Sequence, residues 1–88
     1  MTHDARAAFE YFSDEYAQAL QAFQTIEAQS QTLLMMGHND ELRGFLDQFI
    51  QMAEQRRAAA AEKGESNFAE WFGELVEKAQ AMRAGVPR

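Results

Sequence analysis

The stretch LLMMGHNDEL, residues 33–42, sets His38, Asn39, Asp40 and Glu41 side by side. An imidazole next to two carboxylates could hold a divalent metal or move a proton. A metal site needs three or four ligands converging on one point. The only other histidine is His3. If one helix joins His3 to the Gly37 region, a rise of 1.5 Å per residue keeps its ends ~45 Å apart. One chain then cannot bring both histidines to one ion; only an antiparallel pair of chains could. No Glu-x-x-His or His-Glu-x-x-His pattern occurs, so a di-iron bundle or a zinc hydrolase has no support.

Nucleophilic chemistry is equally thin. The chain has no cysteine. Ser13, Ser30 and Ser66 have no histidine at a motif spacing, and no Gly-x-Ser-x-Gly elbow is present. Gly-rich phosphate loops are absent too. Asp14–Glu15 and Glu70–Glu74 read as solvated helix faces. The expectation is a non-enzymatic chain with no catalytic residue, no metal ligand and no cofactor.

The elements that flank His38 explain the cluster more simply. Phe9, Phe12, Tyr16, Ala19, Phe23, Ile26, Ser30 and Leu33 recur at alternating spacings of three and four, the seam of a long amphipathic helix over about 4–36. Leu20 and Leu34 widen that stripe, and Ser13 could cap a second start within it. Leu42, Phe45, Leu46, Phe49, Met52 and Ala53 line a second helix over about 40–63, which the strong helix formers of RRAAAAEK extend. Phe68, Phe72, Leu75, Ala79 and Met82 line a third over about 68–84, with Trp71 and Val76 on its edges. Gly37, Gly64 and Gly85 stand where helix ends favour positive φ. Asn39 and Asn67 stand where N-caps belong, the latter with Glu70 in the capping-box position. On this reading Gly37 ends helix one, His38 is the turn, and Asp40 and Glu41 sit in a first turn whose dipole favours carboxylates. The same dipole accounts for Arg56, Arg57 and Lys63 near the end of helix two.

The expected fold is therefore all-α: a small antiparallel three-helix bundle with one long N-terminal helix, residues 1–88 forming a single helical domain. Short connections make sequential helices antiparallel neighbours. With 88 residues and no disulfide, the core must come from packing or self-association. The formal net charge of −6 argues against nucleic acid and anionic membranes, both of which need clustered Lys and Arg. No stretch reaches the ~20 apolar residues of a membrane span. MTHDARAAFEYF lacks a signal-peptide core, so the expected location is cytoplasmic.

Two features point to partners. Between Tyr16 and Asn39 only Glu27 is charged, and glutamines fill the polar positions. Solvated helices usually carry more charge, whereas a helix contacted on two sides avoids desolvating it. Helix one also ends in LLMM, which covers all sides of its last turn. Helix three, ~26 Å against ~36 Å for helix two, should fall about two turns short of that end. Only the tail GVPR could cover the remainder. Gln24, Gln31, Leu34, Met35, Met36 and Trp71 are accordingly the candidate interaction residues. The expected function is a protein–protein interaction module (an adaptor, chaperone-like binder or inhibitor) that self-associates through helix one as a homo-oligomer. A small-molecule or metal-binding helical protein, or a structural subunit of a larger assembly, is the alternative. Ser30 and Glu27 are too few polar residues near the stripes for a specific pocket.

Overall fold

The computed structural model describes residues 2–87, with side chains from residue 6 onward. The order is α1 (Thr2–Met35), α2 (Asn39–Glu62) and α3 (Ser66–Ala84), and the described residues contain no strand. The protein is an all-α three-helix bundle. α1 is unbroken at Ser13, and its 34 residues span the 53 Å long axis of the molecule at 1.5 Å per residue.

Two glycines build both turns by one mechanism. Gly37 and Gly64 each have φ of 78°, a conformation open to glycine because it has no Cβ. In the first turn the His38 amide donates to the Leu33 carbonyl at 2.8 Å and the Gly37 amide to Leu34 at 3.1 Å. In the second, Glu65 donates to Ala60 at 2.8 Å and Gly64 to Ala61 at 3.1 Å. This paired pattern is the Schellman closure, which satisfies carbonyls that a helix end leaves open.

Immediate reversal corrects both expected N-caps. The N-cap positions belong to His38 and Glu65, neither with a side-chain cap bond. Asn39 already lies inside α2, and its Oδ1 is closed off from solvent without a hydrogen-bond partner. Asn67 likewise lies inside α3, which starts at Ser66 rather than Phe68. Each closure spends its residue after glycine as the cap, so the next residue is already helical. Gly85 does not adopt positive φ: its φ is −84°, and its amide and that of Val86 bond back to Met82 and Arg83, each at 3.1 Å. This continued winding carries Val86 into the core. The last turn of α2 holds no basic residue: Lys63 is its C-cap, and Arg56 and Arg57 lie farther back, paired with Glu15 and Glu54.

α2 and α3 form the tighter pair, and α1 lies against both. Phe12, Ala19 and Phe23 of α1 meet Leu42, Leu46, Phe49 and Ala53 of α2 and Phe68, Phe72, Leu75, Val76 and Ala79 of α3. Val76 is core rather than edge. Phe72, Leu42 and Leu46 have no exposed surface; burying a side chain of this kind contributes ~1.5–3 kcal/mol. Among the described residues no polar or charged residue is buried as a whole, so the core is built from apolar side chains alone. Polar contacts fix the register around it. Arg56 pairs with Glu15 across α1 and α2. Arg83 donates to both carboxylate oxygens of Asp47 across α2 and α3. That hydrogen bond, helped by the carboxylate charge, raises the Arg83 pKa further. Arg43 grips the end of the chain, donating to the Pro87 carbonyl at 2.6 Å and to Asp40.

Candidate functional site

The His38 cluster is a turn. His38 Nδ1 stands 3.5 Å from Glu41 Oε1 one turn along, while Asp40 is turned toward Arg43. The cluster lines a shallow depression with Gly37 and Arg43. The His3 side chain lies outside the described residues. Among the described residues no three His, Asp or Glu side chains come together as a metal site would require.

The fold leaves several large apolar side chains on its surface. Phe9, Tyr11, Leu34, Met35, Met36, Phe45 and Trp71 are all exposed. Phe9 and Phe45 belong to the expected seams, but the bundle does not enclose them. Phe9 makes an edge-on contact with Phe68, 5.4 Å between centroids, and stays exposed. Phe45 stands on the side of α2 that faces an open groove.

The candidate residues do not form one surface. Met35 and Met36, 83% and 65% exposed, crown the Gly37 end with Leu34. α3 ends at Ala84, opposite the Asp47 level of α2, and only the tail through Val86 and Pro87 reaches the Arg43 level. The shortfall expected from helix lengths is therefore present, and the methionines lie beyond it. Trp71 is at the other end. Its ring lies tilted against Tyr16 at 5.7 Å and edge-on to Phe68 at 5.2 Å, and Tyr16 precedes Leu34 on α1 by ~27 Å of helix. Gln24 and Gln31 are exposed; their helical angles put them on the solvent side of α1, away from α2.

A more continuous surface lies between α1 and α2. A groove of about 380 Å³ is lined by Ala22, Thr25, Ile26 and Gln29 of α1 and Phe45, Gln48, Phe49 and Met52 of α2. None of these residues is ionisable. The charged groups of α2 are engaged elsewhere. Arg43 and Asp47 are held by the tail and by α3, Arg57 pairs with Glu54 at 2.7 Å and lies over Gly73 of α3, and Arg56 closes one end of the groove on Glu15. Gln18, Gln21, Gln51 and Gln55 continue the uncharged surface at the same helical angles. The low charge of α1 was visible in sequence. Its extension across α2 rests on Gln48, Gln51 and Gln55, which recur there at spacings of three and four.

Chemically, this arrangement can bury apolar surface and exchange amide hydrogen bonds. It offers no convergent acid, base or nucleophile. No helix among the described residues is long and apolar enough to cross a membrane. Neither a protein-family model, nor a curated protein, nor a solved structure matches this chain.

Proposed function

We propose that this protein is a non-enzymatic protein–protein interaction module that self-associates through α1 and acts in the cytoplasm as an adaptor, a chaperone-like binder or an inhibitor of a larger protein. The observation that carries this reading is the set of large apolar side chains left outside the apolar core, Met35, Met36, Phe45 and Trp71 among them. Contiguous exposed apolar side chains mark contact surfaces, and Leu34, Met35 and Met36 stand together at the Gly37 end. Methionine and aromatic side chains are favoured in such contacts, the first for adaptability and the second for area. The net charge of −6 favours protein partners over nucleic acid.

Light scattering on the purified chain tests the reading. A species heavier than the 10.0 kDa monomer, with thermal stability rising with concentration, is the expected result. A strict monomer at high micromolar concentration, its melting temperature independent of concentration, would remove self-association from the proposal.

A further inference from the structure

We infer that the uncharged α1–α2 face is covered by the same face of a second copy, so that two α1–α2 pairs stack into a four-helix layer with α3 on each outer side. This inference rests on the self-association proposed above and names its surface and its partner.

Charge selects the occupant. The chain carries 14 acidic and 8 basic residues, so two copies repel one another over most of their surfaces. Between the Glu15–Arg56 pair and Glu41, however, the α1–α2 face has no charge to repel or to attract. A basic partner would find nothing there to pair with, and an acidic one would gain nothing over this chain itself. An uncharged face matches another uncharged face, and a two-fold pair presents one patch to itself. The glutamines suit this role, since a side-chain amide both donates and accepts and can therefore bond to its own kind.

Area and shape agree. Two helices side by side present a strip ~20 Å wide, and Tyr16 to Met36 runs ~30 Å along α1, giving about 600 Å². Specific interfaces start at about 600 Å² from each partner. Phe45 rises at the groove as an apolar anchor. Gly44, beside it and one turn from Gln48, has nothing within 4 Å of where a Cβ would stand, so a facing helix can come close. The exposed Phe9–Trp71 ledge on the α1–α3 side lacks such a match: nothing on it identifies what would cover it.

The test uses the full chain and places charges at exposed groove positions. Thr25→Lys with Gln48→Lys gives a basic face, and Thr25→Glu with Gln48→Glu an acidic one. Each double variant alone should keep wild-type helicity by circular dichroism and dimerise roughly tenfold or more weakly, because like charges meet. Mixing the two should restore a dimer, a result that misfolding cannot produce. Gln24→Lys, on the solvent side of α1, should leave the dimer unchanged. A dimer indifferent to the groove charges, or one broken by Gln24→Lys instead, would overturn this face while leaving self-association standing. A monomeric wild type would overturn both. If the lysine pair fails to fold, the single change Gln51→Lys, farther out on the same face, carries the same expectations.

Discussion

The Arg57 side chain lies across Gly73, its Cδ 3.4 Å from where a Cβ on that glycine would stand. Gly73 is thus the floor on which a long side chain of the neighbouring helix rests. Gly44, the other glycine inside a helix, has open space at the same position. Glycine costs about 1 kcal/mol relative to alanine in a helix interior. Gly44→Ala should therefore raise the stability of the dilute monomer by about that amount. Gly73→Ala should give a smaller gain, because the Arg57 stem must shift slightly. Urea unfolding at low protein concentration measures both as a rise in midpoint at constant slope. A loss of stability for Gly44→Ala would mean that α2 is packed there by something this fold does not contain.

The paired turns lead to a second contrast. Alanine in the left-handed conformation of Gly37 or Gly64 costs about 1–2 kcal/mol, so both Gly→Ala changes should destabilise. Asn39→Ala should cost nothing or stabilise slightly. It replaces a poor helix former by the best one and removes a buried oxygen that has no partner. If Asn39→Ala instead lost ~1 kcal/mol, the usual cost of deleting a side-chain N-cap, Asn39 would be the cap after all.

These turns also show what the sequence made legible. The period of three and four in the apolar residues marked the three helices, because burial of one stripe is what holds each of them. Gly37 and Gly64 marked the breaks, because little besides glycine winds that way. Cap propensity misplaces the helix starts: Asn39 directly follows His38 and Asn67 lies two past Glu65, the residues that the glycine closures use as caps, and propensity says nothing about the hydrogen bonds of the preceding helix. Phe45 and Phe9 belong to their apolar stripes yet stay exposed, because a helical stripe tells which side is apolar, not how far the neighbours extend over it. The α1–α2 face needed the structure for a different reason. Its glutamines lie on two helices, and only the packing angle decides which side of α2 meets which side of α1.

The end of the chain should matter for stability. Val86 is 8% exposed and fills the corner that α3 leaves open above α2. Val86→Ala removes two methyl groups from that corner and should cost roughly 1–2 kcal/mol, at ~0.8 kcal/mol per buried carbon. Arg43→Ala frees the Pro87 carbonyl and Asp40 at an exposed site, where such contacts contribute less than ~1 kcal/mol. Thermal unfolding should thus rank Val86→Ala as the larger loss. The reverse ranking would mean that Arg43, and not apolar burial, holds the tail.

The sharpest contrast lies within LLMM itself. Leu33 is partly buried and packs on the core cluster, whereas Met35 and Met36 stand beyond the reach of α3 with most of their surface in solvent. Changing both methionines to glutamine should leave the monomer within about half a kcal/mol of wild type, as surface substitutions do. Leu33→Gln should cost several times more, because it places an amide against the core cluster. The methionine pair should declare itself in association instead. Met36 marks one end of the face argued to meet a second copy, so the double change removes apolar contact area there. Dimerisation measured beside stability separates the two roles. If the double variant unfolds while association per folded molecule is unchanged, the methionines are core and the α1 end is covered by more of the chain than Val86 and Pro87. If stability holds and association weakens, the apolar end of α1 is contact surface, and its exposure in the lone chain follows from the missing partner.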